Sequence, residues 1–114
     1  MKSIELFSGC GGLAYGLSEA GFHHEVLVEI NSDAVATINK NREIGESYAK
    51  DWKVESGDVR NYDWSTYLGL DLVAGGPPCQ PFSVGGKHKG SADPRDMWPE
   101  AIRAVRETRP KAFI

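Results

Sequence analysis

The chain has 114 residues, of which 40% are hydrophobic and 25% charged, the size and composition of one compact domain, which excludes a multidomain enzyme and a disordered chain. Thirteen Lys and Arg against sixteen Asp and Glu leave a net charge of -3, the wrong sign for a module that holds nucleic acid by phosphate neutralisation alone. No apolar run approaches the roughly 20 residues of a membrane span and no signal-peptide pattern opens the chain, so no membrane partner is expected and the cytoplasm is the expected compartment.

In chain order, residues 3–7 alternate as a short strand and run into Gly9, Gly11 and Gly12, so a strand feeds a tight turn. Leu13, Leu17 and Ala20 recur at helical spacing with Gly21 where a C-terminal cap belongs, which predicts the first helix. Residues 25–29 read as a second strand, and Asn31 or Ser32 caps a second helix that carries Ala34, Val35 and Ile38 on one face and ends near Asn41. A third strand is expected over 54–59 and a fourth over 71–74, the latter closed by Gly75-Gly76-Pro77-Pro78, which continues neither a helix nor a ladder. A long loop then runs to about Asp96. The next helix is expected to turn Ile102 and Val105 inward and Glu100, Arg103, Arg106 and Glu107 outward, and Pro110 stops it. Residues 111–114 look like the start of a fifth strand. Strands and helices alternating in this way imply an α/β fold with a parallel sheet covered on both faces.

Gly9, Gly11 and Ala14 satisfy the G-x-G-x-x-[G/A] pattern of a nucleotide-binding first turn, set between a strand and a helix as its mechanism demands. Glu29 follows about 20 residues later at the end of the second strand, where a carboxylate can accept both hydroxyls of a ribose. Asp58, after Gly57, points at the same sheet edge and is a candidate acceptor for an adenine amino group, with Phe7 a candidate stacking surface. Two cofactors fit this pattern: a nicotinamide dinucleotide or S-adenosylmethionine.

The segment 75–83 leaves the carboxyl end of the fourth strand, the edge at which open parallel sheets bind ligands. Three prolines, Pro77, Pro78 and Pro81, rigidify the backbone around the Cys79 thiol. A cysteine presented in a polar loop near amide dipoles can reach a lowered pKa, and its thiolate is the attacking species, so Cys79 is the candidate nucleophile. The chain's other cysteine is Cys10; two cysteines exclude a disulfide framework, and no Cys-based zinc site has ligands at workable spacing, so no metal is expected.

Phe7-Ser8-Gly9-Cys10-Gly11-Gly12, Glu29, Gly57-Asp58 and Gly76-Pro77-Pro78-Cys79-Gln80-Pro81-Phe82-Ser83 resemble, in order and spacing, the first four motifs of the DNA cytosine-5 methyltransferase family, and residues 93–109 resemble the helix that follows. The resemblance covers essentially the whole chain. It implies a Rossmann-like S-adenosylmethionine-dependent methyltransferase fold and S-adenosyl-L-methionine as the cofactor. Phe7 would stack on the adenine, Glu29 would bind the ribose, and Asp58 would take the adenine edge, with Ile30 and Val59 beside those carboxylates in the same pocket. The backbone of Ser8, Gly9, Cys10, Gly11 and Gly12 would hold the methionine end, with no chemistry assigned to the Cys10 thiol. Pro77 and Met97 would be apolar contacts. Ile30 departs from the aromatic residue often found after the ribose carboxylate.

By the same resemblance Cys79 would add to C6 of cytosine, converting the ring to an enamine whose C5 takes the methyl group, after the base has been flipped out of double-stranded DNA. Lys87, His88, Lys89 and Arg95, set among glycines, suit a basic loop that closes on phosphates. The family continues past the fifth strand to a carboxylate acting at cytosine N3, an arginine-rich motif and a target-reading region. Residues 1–114 are therefore expected to be the N-terminal, cofactor-binding part of the catalytic domain, truncated at the fifth strand and inactive alone. The expected setting is a fragment, or one half of a split enzyme whose second polypeptide carries the remaining motifs, acting in restriction-modification, and nucleoid-associated if the source is bacterial. Alternatives are an RNA cytosine-5 methyltransferase with the same motifs, a silent cofactor-binding module, and a dinucleotide-dependent oxidoreductase, for which the Pro-Pro-Cys-Gln loop has no use.

Overall fold

A computed structural model describes residues 1–78 and 96–114. Five strands, β1 (Lys2–Leu6), β2 (His23–Glu29), β3 (Val54–Ser56), β4 (Leu72–Gly75) and β5 (Ala112–Phe113), form one sheet in the order β3-β2-β1-β4-β5. Every pairing is parallel. Among the described residues three helices, α1 (Gly12–Glu19), α2 (Ser32–Glu43) and α3 (Trp98–Thr108), alternate with the strands, and two short 3-10 turns cover Val59–Asn61 and Trp64–Tyr67. The chain moves outward from β1 to β2 and β3 on one side, then returns to β4 and β5 on the other. This reversal beside β1 creates the crevice at the carboxyl ends of the strands where such sheets bind ligands.

The central strands are buried on both faces, as parallel strands with helices on each side must be. Ile4, Leu6, Val26, Val28 and Val73 pack with Val59, Trp64, Leu70 and Ala104 on one face, while Leu27 packs with Ala14, Ile38, Ala49 and Trp52 on the other. His24 is buried between the Ser3 hydroxyl at 2.9 Å from Nδ1 and the Ala14 carbonyl at 3.0 Å from Nε2. A carbonyl can only accept, so Nε2 donates and Nδ1 accepts from Ser3, a neutral ring that ties α1 to both central strands. Burial lowers the His24 pKa and keeps it in that form.

The helix boundaries follow local chemistry. The Asn31 side chain accepts from the Asp33 and Ala34 amides and caps α2. After α1 the amide of Phe22 bonds the Leu17 carbonyl and that of Gly21 bonds Ser18, the paired closure of a Schellman motif.

Several sequence expectations need correction. On α1 the buried residue is Ala14, while Leu13 is 39% exposed, because the helix packs through its small residue against the sheet. β3 ends at Ser56 rather than Val59, since Asp58 caps a 3-10 turn that carries the chain off the sheet. On α3, Ile102 is 47% exposed and Ala104 and Thr108 are the buried residues. Arg103 is half-buried rather than outward, donating to the carbonyls of Val59 and Tyr62, each at 2.9 Å, and to Glu100 and Glu107. Glu107 in turn accepts from the Trp64 amide. The 3-10 segment brings bare carbonyls to α3, and a guanidinium satisfies them better than an apolar residue would.

Candidate functional site

The turn after β1 places Phe7, Gly9 and Gly11 in left-handed backbone conformations, with φ of 57°, 53° and 87°. Gly11 is required there on two grounds: its φ, and the 2.9 Å that would separate an added Cβ from the Trp52 ring. The turn is held by the Ser8 amide on the Val28 carbonyl at 3.1 Å and the Gly11 amide on the Ser8 carbonyl at 2.9 Å. Gly11 caps α1 without a side-chain bond, so the first amides of the helix face the turn as an anion-favouring terminus. Ser8 is buried and its hydroxyl has no partner among the described residues. Gly12 and Cys10 are exposed, the latter as a free thiol.

Glu29 ends β2 beside this turn. Its Oε2 accepts from the Gly9 amide at 2.7 Å and its Oε1 from the Asn31 amide at 2.8 Å. One carboxylate thus joins the end of β2, the glycine turn and the start of α2, and each oxygen keeps a lone pair for a further donor. Two hydroxyls on adjacent carbons match that capacity.

Across the same sheet edge, a cavity of about 90 Å³ is lined by Phe7, Val28, Ile30, Asp58, Val59, Arg60, Met97 and neighbouring backbone. Phe7 and Met97 are partly buried against the core, which fixes one wall, while Ile30 is 66% exposed at the rim. Of the residues singled out in the sequence, the fold brings Phe7, Ile30, Asp58, Val59 and Met97 to this one cavity. The cavity supplies apolar surface with a carboxylate at its edge, a lining suited to a flat heterocycle that carries a hydrogen-bond donor. Sequence reasoning missed Arg60. Its side chain grips the Asp58 carboxylate, Nε lying 3.0 Å from Oδ1 and 2.9 Å from Oδ2, and holds that carboxyl below its usual pKa. The signal was available: an Asp two residues before an Arg at a strand end forms an Asx-type turn that brings the two side chains together.

Pro77 is buried and lines a second, larger cavity of about 390 Å³ with Phe7, Trp98, Ile102, Val105 and Phe113 among others. Gly75 enters this region because an added Cβ would lie 2.5 Å from the Leu6 carbonyl oxygen; β1 and β4 pair closely where the sheet opens. Cys79, with Lys87, His88, Lys89 and Arg95, lies outside the described residues. Among the described residues no cluster of His, Cys, Asp or Glu could hold a metal ion, and no helix is long and apolar enough to cross a membrane.

A five-stranded parallel sheet in this order, with a glycine turn after its first strand, is a Rossmann-like fold, and the solved structures that share it are S-adenosylmethionine-dependent methyltransferases. The glycopeptide N-methyltransferase MtfA, solved in complex with S-adenosyl-L-methionine, shares that fold at a TM-score of 0.65, with 98% of this chain and 45% of that one covered at 16% identity. Within this class, residues 1–114 match the model of the C-5 cytosine-specific DNA methylases, and the chain belongs to that family. Similar relatives include the Type II methyltransferase M.NgoMIV of Neisseria gonorrhoeae, 48% identical over 98% of this chain and 34% of that protein. The Type II methyltransferase M.PspPI of Psychrobacter is 42% identical over 97% of this chain and 26% of its own length. The chain thus spans between a quarter and about a third of these relatives.

Proposed function

We propose that this chain is the cofactor-binding, nucleophile-bearing portion of a DNA cytosine-5 methyltransferase that takes its methyl group from S-adenosyl-L-methionine. The observation that carries the reading is the pairing of Glu29, locked by two backbone amides beside the glycine turn, with the cavity bounded by Phe7, Asp58 and Met97. In this reading Phe7 stacks on the adenine, with Ile30, Val59 and Met97 packed around it. The free lone pairs of Glu29 accept the ribose hydroxyls. Asp58 takes the adenine amine. The Ser8 to Gly12 backbone and the first amides of α1 receive the methionine carboxylate, and the unpartnered Ser8 hydroxyl lies in the same turn. Pro77 shapes the start of the nucleophile loop.

The bound cofactor supplies an electrophilic methyl on a sulfonium. Cys79, assigned by its Pro-Pro-Cys-Gln setting, adds as a thiolate to C6 of the flipped cytosine, forming a carbon–sulfur bond and moving the ring electron pair to C5. C5 would take the methyl as the sulfonium–methyl bond breaks and the cofactor leaves as its neutral thioether, S-adenosylhomocysteine; the C5 proton would then pass to water, and the electron pair released would re-form the double bond and expel the thiolate. The negative net charge supports a reading in which most of the contact with double-stranded DNA is made by further polypeptide, in the same protein or in a partner chain. The proposed setting is restriction-modification in the bacterial cytoplasm, following the Type II methyltransferase relatives.

Calorimetric titration of the purified protein with S-adenosylhomocysteine tests the cofactor assignment. Binding that exceeds binding of NAD, and that falls by about 10-fold or more in Glu29→Ala through loss of a charge-assisted acceptor, is expected. Tighter binding of NAD would overturn it. Trapping on duplex DNA containing 5-fluorocytosine, in the presence of the polypeptide that carries the remaining motifs, tests the nucleophile: a covalent adduct is expected with Cys79 and none with Cys79→Ala.

A further inference from the structure

Asp58 is the acceptor this reading needs for the adenine amine, yet Arg60 already occupies it. Oδ1 receives the Arg60 backbone amide at 3.0 Å and the Arg60 Nε at 3.0 Å, while Oδ2 receives Nε at 2.9 Å and also Nη2. A carboxylate offers about four lone-pair positions, and a single residue fills them. The walls formed by Phe7, Val28, Ile30, Val59 and Met97 have no side-chain acceptor to offer instead. A guanidinium and the amino edge of adenine present the same feature to a carboxylate, an N–H donor in a plane.

We propose that Arg60 competes with the purine 6-amino group for the Asp58 carboxylate and thereby sets how tightly the site holds an adenine-bearing ligand. This rests on the assignment of Asp58 to the adenine edge. The Asp58 side chain is 19% exposed and the Arg60 side chain 54%, so the partner able to leave is the arginine, which returns to water at small cost because exposed ion pairs are weak. The backbone amide of Arg60 stays on Oδ1, and the purine amine takes the Oδ2 position that Nη2 gives up. Arg60 is in this sense an affinity-setting residue rather than a catalytic one.

The test is calorimetric titration of wild type, Arg60→Ala, Asp58→Ala and the double variant with two ligands: S-adenosylhomocysteine and its counterpart with hydrogen at purine C6. Arg60→Ala is expected to bind S-adenosylhomocysteine about two- to five-fold more tightly and the deaminated ligand as wild type does. The double variant should show no gain over Asp58→Ala. Unchanged or weaker binding of S-adenosylhomocysteine by Arg60→Ala, or equal tightening of both ligands, would overturn the competition. Arg60→Met, which keeps an apolar stem of similar length to the arginine methylenes but has no donor, should reproduce the alanine result; equal thermal midpoints for both variants and wild type exclude a folding effect. The underlying assignment fails separately, and takes the competition with it, if wild type does not prefer the 6-amino ligand or if Asp58→Ala keeps that preference.

Discussion

Glu29 and Asp58 stand on one sheet edge, and they are held in opposite ways. Glu29 is fixed by amides of the glycine turn and of the α2 entry, so its position is a property of three chain segments at once. Asp58 is fixed by the amide and side chain of the residue two places on, so little beyond its own turn depends on it. A carboxylate held by backbone is part of the fold and cannot be adjusted without disturbing it. One held by an exposed side chain can change partners. Glu5, buried on β1 two residues before Phe7 with Oε2 unpartnered among the described residues, is a third case, a carboxyl that burial pushes up to about 8.

The largest effect should come from breaking the scaffold that holds Glu29. Gly11→Ala forces an L-residue to φ 87° with its Cβ against Trp52, and a loss on the order of 2–4 kcal/mol is expected in urea denaturation. A loss under about 1 kcal/mol would mean the turn is softer than its packing indicates.

Next comes Glu5. Its folded pKa lies above its unfolded one, so the folded state holds the extra proton. The stability that Glu5 contributes is therefore fully present below about pH 4.5, declines as pH rises toward about 8, and is level above that. Glu5→Gln should remove this slope and stabilise the protein at pH 8 by an amount on the order of a few kcal/mol, measured by denaturation at a series of pH values. A wild-type curve from which this falling component is absent would show that Glu5 has found a partner.

The comparison itself is tested by paired variants. Glu29→Ala should cost about 1–3 kcal/mol of stability as well as ligand affinity, because it strips charge-assisted bonds from two amides. Asp58→Ala should cost less, about 0.5–1 kcal/mol, because it removes one local cap on a short turn and an ion pair whose arginine is exposed. Equal losses for the two would erase the distinction.

Much of the fold was legible because its signals are local. Alternation over residues 3–7, the glycines at 9 and 11, the Asn31 cap and the Gly75-Gly76-Pro77-Pro78 stop each dictate backbone conformation within a few residues, and together they order the strands and helices. Glu29 at the second strand end was readable in the same way, since strand length alone places it beside the first turn. The Pro-Pro-Cys-Gln segment and the glycine motif also carried the family, because their chemistry demands those residue types in sequence.

What the sequence left open depends on which remote segments meet. Arg103 and Glu107 read as solvent-facing by helical period, but the 3-10 segment arrives with the carbonyls of Val59 and Tyr62 and the Trp64 amide and turns them into an interface. Trp52 stands behind Gly11, 41 positions along the chain, and makes that glycine obligatory for packing as well as for φ. The cavity that gathers Phe7, Asp58 and Met97 exists because parallel pairing brings the carboxyl ends of β1, β2 and β3 to one edge, where Met97 at the entry to α3 closes its side. Short-range sterics and hydrogen bonding decide backbone shape from neighbours in sequence. The partner of each polar side chain is decided by desolvation, and only the assembled fold determines which groups lose water together.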